Sequence, residues 1–306
     1  MSLFRQSRIR KSLELRARVI RTIRRFFETE GYLEVETPIR LPAPAPEAHI
    51  DAIASDGAWL HTSPELCMKR LLAAGYPRIY QICRCFRRGE RGGRHLPEFT
   101  LLEWYTEGHD YRDMMTQTEA LIRFVAEELG RGGEIAYQGE RISLAGPFPR
   151  ITVAEAFVRY APGPVEAALS TGRFDEWMGL EVEPRLPGER PIFLVDYPAA
   201  SGALARRRPD RPSVVERFEL YLGGLEIANG FSELTDPVEQ RARFEAELSA
   251  RATAGKPAYP LPEPFLNALE SMPSAAGNAL GIDRLVMLFA DTRTVDDVTA
   301  FVPEEL

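Results

Sequence analysis

Apolar residues near the start of the chain recur at intervals of three, four and seven residues, the spacing of one helix face. They predict a long helix over residues 12–30, and Gly31 falls where a helix C-cap is expected. The apolar positions of this run are Leu13, Ile20, Ile23 and Phe27. A second helix is predicted in SPELCMKRLLAAG, with Ser63 as its N-cap and Glu65 in its first turn.

Alternation of apolar and polar residues predicts strands between and after these helices. YLEVETP alternates and is stopped by its proline, whereas the proline-rich run that follows predicts an extended loop. Residues 78–88 and 98–107 are strand-like and are joined by a loop rich in glycine and arginine, which predicts a long hairpin. Further strands are predicted in PIFLVDYP, ERFELYL and LEIANG, before a closing helix that begins near Gly281. Residues 130–190 show no clear pattern.

Composition and charge narrow the function classes. Of the 306 residues, 44% are hydrophobic, enough for a substantial core. The sequence has no apolar run of the roughly 20 residues that a membrane helix needs and no secretory signal, so we expect a cytoplasmic protein without membrane contact. The net charge of −7 argues against a protein whose main task is to bind a phosphate backbone. The arginine-rich segments 5–25 and 206–208 are either local binding patches or solvated surface.

The cysteines give no signal of a cross-linked or metal-bound fold. Cys67, Cys83 and Cys85 are too few and too irregularly spaced for a disulfide framework or a four-ligand zinc site. We therefore expect Cys83 and Cys85 to be inert strand residues.

The predicted hairpin places unusual side chains on one face. With a period of two, the return strand presents an aromatic, an aliphatic, a carboxylate and a phenol on the same side. These residues are Phe99, Leu101, Glu103 and Tyr105. Such a face suits a site that stacks a ring and binds an amine. The partner strand and loop add cations that can bind a triphosphate, namely Arg84, Arg87, Arg88, Arg91, Arg94 and His95. The alternative is a solvated hairpin tip.

A second hairpin is predicted in ERFELYLGGLEIANGFSEL. If Gly223-Gly224 forms a two-residue turn, Tyr221 pairs with Glu226 and Glu219 with Ala228. The two glutamates then share one face, roughly 7 Å apart. Oxygen ligands of this kind suit magnesium bound to a nucleotide. The alternative is a pair of exposed glutamates on an edge hairpin.

A third segment, GNALGIDRLVML, has glycines just before a helix whose first turn carries Arg284. Backbone N–H groups at a helix start together with one arginine form an anion site. Small residues that let a helix pack on a sheet give the same pattern.

Together these segments resemble the catalytic core of the class II aminoacyl-tRNA synthetases, and within that class the lysyl branch. The helix followed by EVETP is similar to motif 1, CFRRGERGGRHLPEFTLLEWY to motif 2 and ALGIDRLVM to motif 3. The resemblance covers residues 12–302. It implies an α+β fold, in which a mainly antiparallel sheet is flanked by helices, and a single catalytic domain over residues 1–306.

The resemblance implies a site for ATP with Mg²⁺. Arg87 and Arg284 are expected to be the catalytic arginines, the first at the substrate carboxylate and α-phosphate and the second at the far end of the triphosphate. Phe99 is expected to stack on adenine, and Glu219 and Glu226 to bind the metal. The expected ATP-binding residues are Arg87, Arg88, Gly89, Glu90, His95, Leu96, Phe99, Glu226, Ile227, Gly281 and Arg284.

The resemblance also implies a pocket for lysine or a lysine-like amino acid. Tyr105 and Glu233 are expected to fix the terminal amine, and Asn229 to meet the carboxylate. A buried carboxylate that faces an ammonium rejects neutral side chains, because its charge would otherwise stay desolvated and unpaired. The expected amino-acid-binding residues are Ser63, Pro64, Glu65, Glu103, Tyr105, Asn229, Glu233 and Ala279.

Motif 2 departs from the family pattern at two places. Arg88 and Gly89 stand where the family has Asn and Glu, and Leu96 replaces the Asn that follows His95. Both changes fall in the adenine and phosphate loop, where Glu90 is a candidate for the role of the missing glutamate.

The acceptor of the activated amino acid is predicted from what precedes motif 1. Lysyl-tRNA synthetases carry an anticodon-binding OB-fold of roughly 100 residues there, and here we expect none, which argues against tRNA. LHTSPE, ALGIDR and LEIANG are similar to the lysyl-tRNA synthetase paralogues that attach (R)-β-lysine to a lysine of elongation factor P. That resemblance implies elongation factor P as the partner, and motif 1 implies a homodimer.

Other interpretations stay open. LARR at 204–207 is closer to ordinary lysyl enzymes, which favours a truncated lysyl-tRNA synthetase that loads tRNA or a small acceptor. A catalytically silent regulatory paralogue is disfavoured, because Arg87 and Arg284 are both present. The choice between α-lysine and (R)-β-lysine is open, although Ala228 and Ala279, where ordinary lysyl enzymes have glycine, favour the β form.

Overall fold

The computed structural model of the chain describes residues 4–306 and is built on one large sheet. The strands are β1 (Leu33–Glu34), β2 (Arg40–Leu41), β3 (Ile53–Ser55), β4 (Ala58–Leu60), β5 (Arg78–Phe86), β6 (Glu98–Glu107), β7 (Glu134–Tyr137), β8 (Glu140–Ser143), β9 (Arg150–Thr152), β10 (Ile192–Val195), β11 (Arg207–Arg208), β12 (Arg211–Val215), β13 (Arg217–Leu222), β14 (Leu225–Ser232) and β15 (Ala275–Gly281). The large sheet has the strand order β1-β5-β6-β15-β14-β13-β10-β9. Its six central strands are antiparallel, and β1 and β9 pair in parallel at the two edges.

Helices cover one face of this sheet and close its ends. They are α1 (Arg5–Arg8), α2 (Arg10–Thr29), α3 (Glu65–Ala73), α4 (Tyr111–Glu128), α5 (Val153–Tyr160), α6 (Val165–Ser170), α7 (Phe174–Trp177), α8 (Pro237–Thr253), α9 (Glu263–Ala268) and α10 (Ile282–Ala290). The α+β class with a mainly antiparallel sheet flanked by helices is confirmed. That residues 1–306 form a single catalytic domain stays a prediction.

The two faces of β6 belong to different layers. Leu102 and Trp104 are buried in the largest core, between the sheet and helices α2, α4 and α10. Leu101 and Glu103, at the alternate positions, line a cavity. Because successive side chains of a strand point to opposite faces, the helix layer on one side leaves the other side of the sheet for a site.

A smaller apolar cluster closes one end of that cavity. Phe244 of α8 and Phe265 of α9 have ring centroids 6.0 Å apart, and both belong to a cluster with Met68 of α3 and Tyr105 of β6. A third cluster joins β9, β10 and β13 to helices α5, α6 and α7. Residues 130–190, which gave no clear pattern in the sequence, therefore contribute short strands and short helices.

Two local expectations from the sequence are corrected. The strand predicted in YLEVETP is reduced to Leu33–Glu34, an edge strand that pairs with β5 alone. Helix α3 has Pro64, not Ser63, at its N-cap position, and the Ser63 hydroxyl accepts a hydrogen bond of 3.0 Å from the Glu65 N–H instead. Proline suits the start of a helix because it has no N–H to leave unpaired.

Candidate functional site

A cavity of about 730 Å³ lies on the sheet face opposite α2, α4 and α10, within the range of roughly 300–1,000 Å³ typical of small-molecule sites. Most of the residues expected to bind ATP, metal or amino acid line it. They are Ser63, Glu65, Arg87, Glu90, His95, Leu96, Phe99, Glu103, Tyr105, Glu219, Glu226, Ile227, Asn229, Ala279, Gly281 and Arg284.

Four of the expected residues lie outside this lining. Pro64 begins helix α3, and Glu233 is 1% exposed behind the cavity wall. The backbone N–H of Arg88 donates to Asp51 O at 2.7 Å. Gly89 has a φ of +78°, so it turns the chain at a position where a side chain would be strained. The Arg88 and Gly89 positions therefore shape the loop rather than the wall of the cavity.

Arg87 and Phe99 meet at one end of the cavity. The guanidinium carbon of Arg87 lies 5.0 Å from the centroid of the Phe99 ring, within the range of a cation–π contact. Arg87 Nη1 is 3.9 Å from Glu90 Oε1, and its backbone N–H donates to Pro97 O at 2.9 Å. The fold thus brings a cation and a flat aromatic ring together. This pair suits the phosphate and the base of a nucleotide.

Arg284, from the first turn of α10, reaches the same end. Its Nη1 donates to the backbone oxygen of Glu226 at 2.8 Å and to Glu226 Oε2 at 3.0 Å. Its Nη2 contacts His95 Nε2 at 2.6 Å. Burial, and then the charge of Arg284, lower the pKa of His95. A neutral His95 that accepts from Arg284 therefore helps to hold this guanidinium over the sheet.

The loop between β5 and β6 is tied down at its tip. Arg94 Nη1 donates to Gly224 O at 2.9 Å, which joins the loop to the β13–β14 turn. Arg91 pairs with Asp296 at 2.9 Å and with Glu304 at 2.8 Å, near the C-terminal end of the chain. These contacts hold the loop over the end of the cavity that contains Arg87.

The β13–β14 hairpin has the predicted turn but a different register. Gly223 and Gly224 both have positive φ, as a two-residue turn of the primed type requires, and Tyr221 pairs with Glu226 as predicted. Glu219, however, pairs with Asn229 and not with Ala228. A bulge inserts one extra residue into β14 between these pairs, and a bulge turns the side chains that follow it to the other face.

The bulge has a functional consequence. In a regular strand, Glu226 and Asn229 would point to opposite faces, because they are three residues apart. With the bulge, both line the cavity together with Glu219. Arg217 connects Glu219 with Asn229, since its Nη2 donates to Glu219 Oε1 at 2.5 Å and its Nε donates to Asn229 Oδ1 at 3.1 Å.

Three carboxylates lie at the end of the cavity near Arg284. Glu183, which the sequence did not single out, lines the cavity with Glu219 and Glu226. Burial, and then the charge of Glu219, raise the pKa of Glu183 to about 7. Burial also raises the pKa of Glu219 against the opposing effect of Arg217. Carboxylates that repel one another in this way fit a hard divalent cation, so the donors present suit Mg²⁺.

Glu103 lies at the other end of the cavity and is 2% exposed. Ser63 Oγ donates to one of its oxygens at 2.5 Å, and the Tyr105 hydroxyl donates to the other at 2.8 Å. Burial, followed by the charge of Glu65, raises the pKa of Glu103 to about 8. A cation beside Glu103 would therefore stabilise its ionised form and lower its pKa.

A lysine of the protein itself lies behind this end. Lys69, which is 1% exposed, contacts Glu65 Oε1 at 2.5 Å and forms an ion pair with Glu233. Burial lowers the pKa of Lys69, but Glu233 and Glu65 more than offset this effect and the pKa is raised. Burial raises the pKa of Glu233 to about 8, even with Lys69 beside it.

Tyr105 and Glu233, both expected at the terminal amine of the substrate, contact other residues of the protein, and their role at that amine stays a prediction. The Tyr105 hydroxyl donates to Glu103, and the cation at Glu233 is Lys69. The two residues still meet at Gly277, where an added Cβ would lie 2.6 Å from Glu233 Oε1 and would also overlap the Tyr105 ring. Glu233 Oε1 has no hydrogen-bond partner among residues 4–306. It therefore keeps an acceptor position for a second ammonium.

Several charged residues of this site were missed from the sequence, among them Arg217, Glu47, Glu183 and Lys69. Lys69 follows Glu65 by four residues, a helical spacing that indicates an ion pair and could have been read. Glu47 lies in the proline-rich loop and Glu183 in the unpatterned stretch, so nothing local marked them. Both line the cavity, and burial raises the pKa of Glu47 to about 7.

The sequence as a whole decides the family. A family model for class II tRNA synthetases (D, K and N) matches residues 1–305. The chain belongs to the class II tRNA synthetases of this D, K and N group.

Individual relatives of this class II chain are lysine–tRNA ligases. It is 37% identical over 322 residues to the one from Magnetococcus marinus, covering 96% of this chain and 64% of that protein. It is 39% identical over 321 residues to one from Coxiella burnetii, covering 95% of this chain and 64% of that protein. For Anaeromyxobacter sp. (strain K) the identity is 38% over 334 residues, with 96% and 65% covered. The class II chain thus spans about 64% of the length of the curated relatives it matches.

Within residues 4–306, no helix combines the length and the apolar character needed to cross a membrane.

Proposed function

We propose that this chain uses ATP to activate the carboxylate of lysine, or of a closely similar diamino acid, as an aminoacyl-adenylate. The observation that carries the proposal is a cavity that combines arginines with carboxylates suited to Mg²⁺ at one end and has further carboxylates at the other. Arg87 and Arg284 lie at the first end, and Glu65, Glu103 and Glu233 lie in or behind the second. This arrangement suits a substrate whose carboxylate meets a nucleotide and whose side-chain ammonium is held away from it.

The proposed reaction joins the two ends of the cavity. A carboxylate oxygen of the amino acid attacks the α-phosphorus of ATP, the bond from that phosphorus to the bridging oxygen of the β-phosphate breaks, and pyrophosphate leaves. Arg87 neutralises the charge that accumulates on the α-phosphate oxygens. Phe99 stacks on adenine, and Arg284 binds the outer phosphates. Glu219 and Glu226 would hold Mg²⁺, which supplies positive charge to the phosphates when it is bound.

The carboxylates at the amino-acid end of the cavity would favour a substrate whose side chain ends in an ammonium. Glu103 and Glu233 are buried, and the pKa of each is raised to about 8. An ammonium beside either carboxylate restores its charged state. A neutral side chain offers no ammonium, so these carboxyl groups stay protonated and the ion pairs with the substrate do not form. Sites built for such polar contacts reject analogues that lack them by about 10⁴- to 10⁵-fold.

For the second step we propose a lysine side chain of elongation factor P as the acceptor and (R)-β-lysine as the preferred amino acid. The acceptor amine attacks the adenylate carbonyl, AMP leaves, an amide forms and the amine loses a proton. Ala279 supports this choice, since it shares the cavity face of the sheet with Glu103 and Asn229 and adds one methyl group where ordinary lysyl enzymes have glycine. Ala228, the other such position, packs in the core on the opposite face of the sheet. A β-amino acid carries its amine one carbon farther from the carboxylate, so its shape differs at this wall.

A second candidate acceptor is tRNA. The relatives at 37–39% identity are named lysine–tRNA ligases, which favours it. The two candidates share the adenylation step and differ only in the nucleophile.

The test separates the two steps. Purified chain is incubated with ATP and either α-lysine or (R)-β-lysine, and pyrophosphate exchange is measured. Labelled amino acid is then followed into elongation factor P and into tRNA in parallel reactions. Exchange dependent on a diamino acid supports adenylation, and its absence with both substrates rejects it. Label in tRNA but not in elongation factor P rejects the protein acceptor and leaves adenylation intact.

A further inference from the structure

Two thiols and an imidazole gather on strand β5, beside the cavity but outside its lining. Cys83 Sγ and Cys85 Sγ are 3.9 Å apart, and Cys85 Sγ is 3.9 Å from His61 Nε2. The three ligand atoms lie within 4.8 Å of one another. His61 is 1% exposed and Cys85 is fully buried. We propose that His61, Cys83 and Cys85 form a binding site for a thiolate-preferring metal ion, with Zn²⁺ as the expected occupant.

The distances fit tetrahedral coordination. With a Zn–S bond of about 2.3 Å and a Zn–N bond of about 2.0 Å, tetrahedral angles place two sulfurs about 3.8 Å apart and a sulfur about 3.5 Å from a nitrogen. The observed sulfur–sulfur separation is 3.9 Å, and the sulfur–nitrogen separation is also 3.9 Å. A metal at the centre of the three atoms thus requires movements of only a few tenths of an ångström.

The fold explains how residues distant in sequence come together. Cys83 and Cys85 are two apart in a regular strand, so both side chains point to the same face. His61 follows β4, and its backbone oxygen accepts a 3.0 Å hydrogen bond from the N–H of Phe86, which aligns it with the end of β5. Spacing in the sequence could not reveal this third ligand.

The hydrogen bonds of His61 are incomplete in the chain as it stands. Its Nε2, the nitrogen near Cys85, also lies 2.7 Å from the backbone oxygen of Arg84, and its buried Nδ1 has no hydrogen-bond partner among the described residues. An ion bound at Nε2 would replace the contact with Arg84. A buried ring nitrogen without a partner is otherwise unexplained.

Gln81 supplies a candidate for the fourth position. It lies two residues before Cys83 on the same strand face and is 3% exposed. Its Oε1 is buried without a hydrogen-bond partner in the described part of the chain. Two sulfurs, one nitrogen and one oxygen donor complete a tetrahedral set.

The site would act on the architecture rather than on the reacting atoms. In the β5–β6 register, Cys85 pairs with Phe99 and Gln81 pairs with Glu103, two residues that line the cavity. A metal would therefore hold β5 in place beside Phe99 and Glu103. This role is that of a structural metal.

The experiment titrates the reduced, chelator-treated full chain with Co²⁺. We expect one Co²⁺ per chain, with the visible bands of tetrahedral cobalt and a thiolate charge-transfer band in the near ultraviolet, both removed by Zn²⁺. Cys83→Ser and His61→Gln should each weaken Co²⁺ binding by at least about 10-fold, the usual minimum for loss of metal-site groups. Cys67→Ser changes the third thiol, which lies in α3, and should leave the spectrum unchanged.

Other outcomes would overturn the proposal. Cys83 is only partly buried, so Cys83→Ser should stay folded, and circular dichroism checks this directly. Binding that survives in folded Cys83→Ser places the metal elsewhere. A reduced wild-type chain that binds no Co²⁺ excludes the site. If the two thiols then form a disulfide under mild oxidant, counted by thiol titration, the cluster is a redox pair instead.

Discussion

Lys69 places a positive charge next to the pocket that we propose for a substrate ammonium. Its partners Glu65 and Glu233 are both expected amino-acid ligands. Without Lys69, the buried carboxylates would have no internal cation in the unliganded chain. Lys69 therefore allows the acidic pocket to exist before the substrate arrives.

The first residue-scale prediction concerns this lysine. Lys69→Met should lower the free energy of unfolding by about 3–5 kcal/mol near pH 8.5, because it leaves buried carboxylates unpaired. The loss should be smaller near pH 6, where Glu233, whose pKa is raised to about 8, takes up a proton instead. Urea unfolding at both pH values measures the difference. Lys256→Met is the matched control, since Lys256 pairs with Asp51 at a partly exposed site and should cost within about 1 kcal/mol. Equal losses for Lys69→Met at both pH values would contradict the argument.

The second residue-scale prediction tests the nucleotide end. Arg87→Ala should reduce pyrophosphate exchange by at least about 100-fold, the usual effect of removing a charge partner of the transition state. Arg88→Ala is the control, because the neighbouring Arg88 does not line the cavity, and it should change exchange far less. Full exchange in Arg87→Ala would show that our assignment of motif 2 is wrong.

At the scale of elements, the bulge in β14 determines what the site contains. The Gly223-Gly224 turn could be predicted, because glycines are the residues that tolerate positive φ at both turn positions. The bulge could not, since no residue type in LEIANG requires it. Without it, Asn229 would face away from Glu226, so the composition of the cavity depends on a register detail that the sequence leaves open.

The element-scale prediction concerns Ala279 on the floor of the cavity. Ala279 of β15 pairs with Glu103 on one side and with Asn229 on the other. Ala279→Gly, alone or with Ala228→Gly, should raise kcat/KM for α-lysine relative to (R)-β-lysine, by about 10- to 200-fold for one methyl group. KM for ATP should stay nearly constant. Ala276→Gly is the control in the same strand, since Ala276 does not line the cavity. An unchanged ratio in the double variant would place discrimination elsewhere.

At the scale of the whole molecule, the acidic pocket links substrate binding to pH. A carboxyl group whose pKa is raised in the folded state stabilises the fold below its unfolded pKa, and that contribution is lost as the pH rises through the folded pKa. For Glu103 and Glu233 the window runs from the usual carboxyl pKa of 4.5 to about 8. The unliganded chain should thus lose stability as the pH rises through this window.

The pH prediction follows from the same linkage. The side-chain ammonium of lysine binds the ionised carboxylates, so binding releases protons, and Kd for lysine should fall by at least about 10-fold from about pH 6 to about pH 8. Calorimetry in buffers of different ionisation enthalpy counts the released protons directly. Glu233→Gln should mainly weaken amino-acid binding and should reduce that count. A Kd that is independent of pH would contradict the proposed ionisation states.

The last prediction concerns assembly. Strand β1 is an edge of the large sheet, and Leu33 on it and Ile39 after it are apolar yet 50% and 42% exposed. Edges and exposed apolar residues of this kind favour association. Light scattering should give twice the chain mass of 34.4 kDa, and Leu33→Arg should shift it towards the monomer. A wild-type monomer at micromolar concentration would reject the homodimer.

Much of the fold could be predicted because its main elements carry clear periodicity. The long helix, the β5–β6 hairpin and the motif-bearing strands follow from spacing alone, and the resemblance supplies their arrangement. Glu47 and Glu183 lie in segments without periodicity, and they reach the cavity only through tertiary packing. The His61–Cys83–Cys85 cluster was missed for the same reason, because His61 joins it across strands.

The ion pairs that Arg91 of the β5–β6 loop forms with Asp296 and Glu304 have a consequence for the rate of turnover. Arg91 and its partners Asp296 and Glu304 are all at least 32% exposed, so salt screens their attraction. Leu96 anchors the end of the loop in the core, so weaker ion pairs free only the part around Arg91 while the sheet beneath it stays intact. Ionic strength would then change how long a nucleotide stays in the cavity without changing the stability of the fold.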